Sequence, residues 1–347
     1  AAGLDTGADI ARHVAGKAEA APDHEREWWA FAAGYALEDA GDYDTAWEWY
    51  TEGNALVRAR VPSNAPAIED HERRIVETYT ADVLNRLTRA QLTTPGPAPV
   101  FVVGMPRSGT TLMERIIGAH PEAAPLGERA DLREIMGAMT PNDASARLPW
   151  PERAAELRPV AAGSIAGAYL ARVNALASAG ARVAVDKMPE QFRQTGLIAA
   201  TMPQARIIHM TRDPRDVGVS CYTARFHDRL AWSFDLNSIA RRQASYASVT
   251  AHWRRVLPAS RMLEVPYEEL VRAPEAWTAR VLDFLDLPWK PACVHGHDEA
   301  DGPVRSSSVA QVRGPVTGSS VGRWERFGEG HLGELVADNS ANADAGY

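Results

Sequence analysis

At 347 residues, 45% hydrophobic and 24% charged, the chain is long enough to bury a full core, as one large domain with an appendage or as two domains. Its net charge of −8 argues against a broad nucleic-acid surface, which needs clustered Lys and Arg against phosphates, so any anion site is local. No apolar run approaches the ~20 residues of a membrane span, and AAGLDTGADIARHVAGK at the start lacks a leader's basic then apolar pattern; a cytoplasmic protein with no membrane partner is the default expectation. The chain opens on Ala1 rather than Met, so a targeting segment ahead of it lies outside this reading. Two cysteines, Cys221 and Cys293, are too few for a disulfide framework and lack metal-ligand spacing, which fits a reducing compartment and a buried place for both.

Residues 27–60 read EWWAFAAGYALEDAGDYDTAWEWYTEGNALVRAR, with Gly34, Ala46 and Gly53 small and Leu37, Tyr43 and Tyr50 large. The pattern resembles one tetratricopeptide (TPR) helix pair turning at Ala40-Gly41-Asp42. A single repeat falls short of the roughly three that a free-standing solenoid needs. It therefore reads as a helical appendage packed on the main domain or on a second subunit, or as a surface for docking a homodimer mate or another partner. Ser63 to Ala90 continues helically, with Ile68, Ile75, Val76, Tyr79, Val83, Leu84 and Leu87 at helical spacing. TTPGPAP, Thr93 to Pro99, breaks it. The expected organisation is a helical TPR-like segment over 1–94, a main domain over 98–330 and a tail over 331–347.

Beyond the break, apolar runs at Pro99–Val103, Arg182–Val185, Ala205–Met210 and Arg261–Val265 read as buried strands. They alternate with helices over Thr110–Ala119, Ala161–Ala177, Gln191–Thr201 and Leu236–Val256. This alternation predicts an α/β fold in three layers, a parallel sheet covered on both faces, with function gathered at the carboxyl ends of the strands.

The first strand runs into GMPRSGTT, Gly104 to Thr111, and then a helix. Gly104 and Gly109 keep the G-x-x-x-x-G spacing that lets backbone N–H groups wrap an anion at a helix N-terminus. A nucleotide-triphosphatase loop continues with Lys; that position is Thr110, and the cation comes from Arg107 inside the loop. Without that lysine, and with no apolar run ending in an acidic magnesium partner, ATP or GTP hydrolysis lacks its main electrostatic parts. Ser108, Gly109, Thr110 and Thr111 remain to cradle a phosphate. A chance Gly-rich turn is the competing reading.

PVFVVGMPRSGTTLMERIIGAHPE is similar to the 5′-phosphosulfate loop of sulfotransferases that use 3′-phosphoadenosine 5′-phosphosulfate (PAPS), closest to the tyrosylprotein and bacterial TPR-linked branch. The resemblance runs from about Val100 to Phe327 and implies a P-loop type sheet fold. ARIIHMTRDPRDVGVSCY supplies Arg212 and Ser220, an arginine fork and a hydroxyl suited to a phosphate monoester, and resembles the family's 3′-phosphate motif. An ion pair of Arg212 with Asp213 or Asp216 competes, and Arg215 reads as solvated. SSSVAQVRGPVTGSSVGRWERF resembles the late cofactor-covering segment, which implies Ser307 and Ser308 near the sulfuryl and adenylate groups and Arg323 on phosphate; a polar loop is the alternative. Tyr267 matches a cofactor-touching position, or is a core-edge tyrosine. The tyrosylprotein branch has a further Arg where this chain has Ala224, with Arg225 adjacent.

Sulfuryl transfer needs a base for the acceptor's proton and cations for the charge that builds up. The resemblance implies Glu128 as base, with Glu122 and Asp131 as competing carboxylates. Lys187 and Arg107 would stabilise charge, Ser307 would assist, and the product would be 3′-phosphoadenosine 5′-phosphate (PAP), with no metal. A carboxylate is a weak base unless burial raises its pKa, so Glu128 is expected in a partly closed cleft. A salt bridge of Lys187 to Asp186 is the competing reading. His120, at a helix end, and His209, inside a strand, rank below Glu128. The acceptor is hydroxyl-bearing, a small molecule, a sugar or a peptide tyrosine, and Tyr222, Phe226, Trp232, Phe234 and Tyr246 line its cleft or belong to the core. A P-loop kinase and a noncatalytic TPR adaptor stay open as alternatives.

Overall fold

The computed structural model describes residues 6–138, 149–295, 318–332 and 335. In chain order the elements are α1 (Gly7–Glu19), α2 (Asp23–Asp39), α3 (Tyr43–Arg60), α4 (Ala65–Thr78), α5 (Ala81–Leu87), β1 (Ala98–Gly104), α6 (Thr110–Gly118), β2 (Ala123–Gly127), α7 (Asp131–Ala138), α8 (Arg153–Glu156), α9 (Pro159–Leu176), β3 (Val183–Lys187), α10 (Thr195–Thr201), β4 (Arg206–Thr211), α11 (Pro214–Tyr222), α12 (Leu236–Val256), β5 (Met262–Pro266), α13 (Tyr267–Arg272), α14 (Pro274–Phe284) and α15 (Ala292–His295). They form two compact units, each discontinuous in sequence: one from Ala1–Glu69, Asp213–Ser245 and Ser319–Tyr347, the other from Asp70–Arg212 and Tyr246–Gly318. Compactness thus divides the chain differently from a boundary drawn at the proline-rich break.

The second unit is built on a five-stranded sheet of order β2-β3-β1-β4-β5, every pairing parallel. β1 takes the centre because its side chains are apolar on both faces. Val100 and Val102 enter one apolar cluster with Leu112, Met113, Ile116 and Ile117 of α6. Phe101 and Val103 enter the other with Ile165, Tyr169, Leu170 and Val173 of α9 and with α5. Each such buried side chain contributes about 1.5–3 kcal/mol, so the alternating pleat holds a helical layer on either face. Pro125, which cannot donate to a ladder, lies in β2 at the sheet edge. This strand, expected just ahead of Glu128, joins the four apolar runs as the fifth strand of the sheet.

The helical stretch expected over Ser63–Ala90 divides into α4 and α5. Thr80 interrupts it, its side chain accepting the N–H of Val83 as a helix cap. Residues 191–194, expected in the helix of α10, belong instead to a 3-10 turn over Pro189–Gln194.

In the first unit α2 and α3 form the helix pair read from the sequence, joined by the turn at Ala40–Asp42. The small residues are places of close approach: a Cβ on Gly34 would lie 2.7 Å from Tyr50 Cε1, and one on Gly53 would lie 3.0 Å from the Phe31 ring. Trp47 of α3 packs on Tyr222 of α11, ring centroids 4.9 Å apart, and Asn54 Nδ2 donates to the Tyr222 carbonyl at 2.9 Å. Tyr222, Phe226, Trp232 and Phe234 are all buried, which puts these aromatic residues in the core. Among the described residues no helix is long and apolar enough to cross a membrane.

Candidate active site

Because the strands are parallel, their carboxyl ends share one edge of the sheet, and each end carries a residue singled out in the sequence. β1 ends at Gly104 and turns into the 104–111 loop, Glu128 follows β2, Lys187 closes β3, Arg212 follows β4 and Tyr267 follows β5.

The loop is tight. A Cβ on Gly104 would lie 2.6 Å from Ser108 Oγ and 2.7 Å from the Met210 carbonyl oxygen, and Ser108 Oγ donates to the Met105 carbonyl at 2.8 Å. Arg107 adopts φ 71°, a left-handed backbone costing about 1–2 kcal/mol in an L-residue. Gly109 takes φ 96°, and a Cβ there would stand 2.6 Å from Tyr267 Cδ2. α6 begins at the next residue, Thr110, so the loop ends on the N–H groups of a helix start, the arrangement that favours an anion. Ser108, Thr110 and Thr111 are buried.

Arg212 reaches back to this loop: its Nη1 donates to the Arg107 carbonyl at 2.9 Å, and its guanidinium lies 4.5 Å from the centre of the Tyr267 ring. The structure therefore brings Arg107, Gly109, Arg212 and Tyr267 together.

The pleat of β3 explains how two neighbouring charged residues take opposite tasks. Val183 and Val185 face the α6 cluster and Ala184 faces the α9 cluster, so Lys187 continues toward α6 and Asp186 toward α9. Asp186 accepts from the Tyr169 hydroxyl at 2.7 Å and from Gln191 Nε2 at 3.1 Å, and burial, against these hydrogen bonds, pushes its carboxyl up to about 6. Lys187, its side chain 2% exposed, meets Glu128 Oε1 at 2.5 Å and Glu114 Oε2 at 3.9 Å. The lysine's ion partners are thus Glu128 and Glu114, in place of the adjacent Asp186.

Glu128 is 39% exposed. The burial expected around it falls on Glu114 of α6, 12% exposed, whose carboxyl burial pushes up to about 6 against the pull of Lys187 and the Gly127 N–H. The competing carboxylates are bound by arginines: Glu122 to Arg182 at 3.2 Å, Asp131 to Arg129 and Arg172 at 2.6 and 2.8 Å. Both histidines are buried and bonded. His120 Nε2 meets the Pro288 carbonyl at 2.9 Å, and His209 lies between Glu264, 2.8 Å from Nδ1, and the Tyr246 hydroxyl at Nε2.

In the other unit Ser220 lies buried on α11, a helix started by Asp213 as its cap and Pro214. Asp216 of the same helix accepts the N–H groups of Gly322 and Trp324 at 2.8 and 3.0 Å, which holds the turn carrying Arg323. Arg323 itself makes a two-point pair with Glu38 at 2.5 and 2.6 Å and donates to Thr223 at 3.0 Å. Arg215, read as solvated, pairs with Asp213 at 2.6 Å and lies 4.0 Å over the Trp324 ring. Arg225 pairs with Glu27 and Asp228 at 2.8 and 2.9 Å. Ser307 and Ser308 lie outside the described residues. Among the described residues no group of His, Cys, Asp and Glu could hold a metal ion.

Residues 99–291, more than half of the chain, match the family model described as the sulfotransferase family. The chain belongs to that family. Its relatives include an "Uncharacterized protein" of Aquifex aeolicus (strain VF5), 33% identical over 320 residues that span 89% of this chain and 41% of that protein. Protein-tyrosine sulfotransferase 1 of Danio rerio is 27% identical over 241 residues, 65% of each chain. This family member thus spans less than two thirds of either relative's length. A solved structure, the sulfotransferase domain of the Synechococcus PCC 7002 olefin synthase, matches at a TM-score of 0.46 and 20% identity, over 73% of this chain and 97% of that one.

Glu114 was not singled out in the sequence, and Asp186 was named there only as a partner for Lys187. The signal for Glu114 in the sequence was slight, a charged pair Glu114-Arg115 one turn inside TTLMERIIG, a helix that opens at an anion loop.

Proposed function

We propose that this family member moves a sulfuryl group from PAPS to a hydroxyl-bearing acceptor and leaves PAP. The observation that carries the reading is the convergence of the 104–111 loop, Glu128, Lys187, Arg212 and Tyr267 at the carboxyl ends of five adjacent parallel strands. A glycine-built anion cradle and arginine and lysine cations suit a polyanionic donor.

In this reading the backbone of Ser108 to Thr111 holds the donor's 5′-phosphate, Arg212 and Ser220 its 3′-phosphate, and Tyr267, Ser308 and Arg323 complete the cofactor contacts. For Arg323 that means exchanging part of its pairing with Glu38. PAPS supplies the sulfuryl group and a phosphate that can leave with its electrons. Glu128 takes the acceptor's hydroxyl proton on its carboxylate; with over a third of its surface open, it can be reached by an acceptor. Lys187 and Arg107 set positive charge where negative charge builds on leaving, and Ser307 assists. Proton removal and charge neutralisation complete such a transfer without a metal.

The protein-tyrosine sulfotransferases among the relatives make a peptide tyrosine the first acceptor class to test, with sugar and natural-product hydroxyls beside it. The helical segment 1–94 serves, in the same proposal, to dock a partner or a second copy beside a catalytic domain over 98–330 and a tail over 331–347, in a cytoplasmic protein.

The test is a mass-shift assay with PAPS and an acceptor panel, without added metal. The natural chain adds a sulfuryl group to one acceptor class. Glu128→Gln lowers turnover at least ~100-fold while PAP still binds. Binding of PAP with no transfer to any acceptor would favour the noncatalytic adaptor, and strong magnesium-dependent ATP turnover would favour the kinase.

A further inference from the structure

Glu114, although it lies in the segment that carries the phosphate loop, was given no role in the sequence, yet it touches both of the groups that prepare Glu128. One of its oxygens accepts the N–H of Gly127 at 2.9 Å. Gly127 is the residue before Glu128 and turns the chain with φ 72°, so this bond fixes the direction in which the strand hands over to Glu128. Its other oxygen lies 3.9 Å from Lys187 Nζ, on the ammonium that Glu128 holds at 2.5 Å.

The charged groups acting on Glu114 are Lys187 and Asp186 of β3 and Glu128 after β2. The other strands beside α6 carry no titratable side chain, β1 reading APVFVVG and β2 AAPLG. The short helix α15, packed on α6, brings the buried thiol of Cys293.

Two carboxylates on one buried ammonium pose a question of charge. When Glu128 takes up the acceptor's proton its negative charge is gone at that oxygen, and Lys187 loses its nearer counter-ion. A buried ammonium without an anion gives up its proton more readily, at the moment when its positive charge is needed. We propose that Glu114 is a positioning residue of this site, a standing carboxylate that keeps Lys187 charged and in place while Glu128 changes charge, and that aims Glu128 through the Gly127 amide. Protons balance in this arrangement: the acceptor's proton ends on the Glu128 carboxylate, Lys187 keeps its three, and Glu114 stays ionised. The inference rests on Glu128 being the base.

The experiment measures kcat against pH for the natural chain, Glu114→Gln, Glu114→Asp and Glu128→Gln, with PAP binding followed by calorimetry. Glu114→Gln should bind PAP within ~3-fold of the natural chain, since it removes no cation from the anion site. Its alkaline limb of kcat should move down by about one pH unit, which lowers kcat roughly tenfold on that limb. Glu114→Asp, with the charge kept at shorter reach, should shift the limb in the same direction by less, and it carries the decision alone if the Gln variant does not fold. A limb that stays in place in these variants, or a uniform loss at every pH, overturns the proposal, because a merely structural role would lower activity without moving the limb. Full turnover by Glu128→Gln would instead overturn the assignment of the base, and is read separately.

Discussion

Lys187 stands almost without water beside two carboxylates, 2.5 and 3.9 Å away, and such a cation is worth far more to a developing negative charge than a solvated one. Lys187→Met should therefore lower turnover ~100-fold or more, measured by the PAPS mass-shift assay. PAP binding should weaken too, since Glu114 and Glu128 would face the donor without their ammonium. In the proposed reading Arg212 binds the other end of the anion. It is tied to the loop by the Arg107 carbonyl and lies over Tyr267, and a charge-assisted hydrogen bond contributes about 1.5–3 kcal/mol. Arg212→Ala should weaken PAP binding about 10- to 100-fold by calorimetry. At this scale the residues picked out by motif include pairs that the structure brings together, Arg107 with Arg212 and Glu128 with Lys187. Glu114 was passed over in the sequence, because a glutamate one turn into a helix looks like any solvent-facing residue until the neighbouring strand brings a lysine to it.

Among the elements, two glycines separate a functional constraint from a packing one. Gly109→Ala forces a side chain into φ 96° and places its Cβ 2.6 Å from the Tyr267 ring. The expected result is a loss of PAP binding together with about 1–3 kcal/mol of stability, read by calorimetry and urea unfolding. Gly34→Ala has opposing effects. Alanine favours a helix by about 1 kcal/mol over glycine, but the added methyl would lie 2.7 Å from the buried Tyr50 ring, an overlap costing about 1–3 kcal/mol. Overpacking wins, so urea unfolding should show a net destabilisation while transfer is kept in the folded fraction. The small-against-large pattern of α2 and α3 was legible because helical spacing alone sets which residues meet. The interruption at Thr80 was not, since the apolar spacing runs on through it.

For the molecule as a whole, buried carboxylates set opposing slopes in stability against pH. Glu114 and Asp186 are raised to about 6 by burial, from ordinary values of 4.5 and 3.8. Their contribution is fully present below those ordinary values and is lost as pH rises through about 6. Glu264 goes the other way: burial works to raise it, but the hydrogen bonds and charges of His209 and Arg254 outweigh that and hold it at about 2. Its contribution is present above 4.5 and lost as pH falls through about 2. Thermal unfolding followed between pH 7 and 3 should rise in midpoint toward pH 5 and fall below about 4.5. Glu114→Gln should flatten the first slope, and Glu264→Gln should soften the second.

The sequence by itself determined the local chemistry: a strand that runs into GMPRSGTT, an alternation of apolar runs and helices that requires a covered parallel sheet, and the identity of the cations after the strands. These are properties of neighbours along the chain, where periodicity and the backbone needs of a phosphate loop act directly. The tertiary structure alone decided which charges meet. Lys187 points to α6 and Asp186 to α9 because a pleat sends successive side chains to opposite faces. That choice made Glu114 and Glu128, far from Lys187 in sequence, the groups that share its charge.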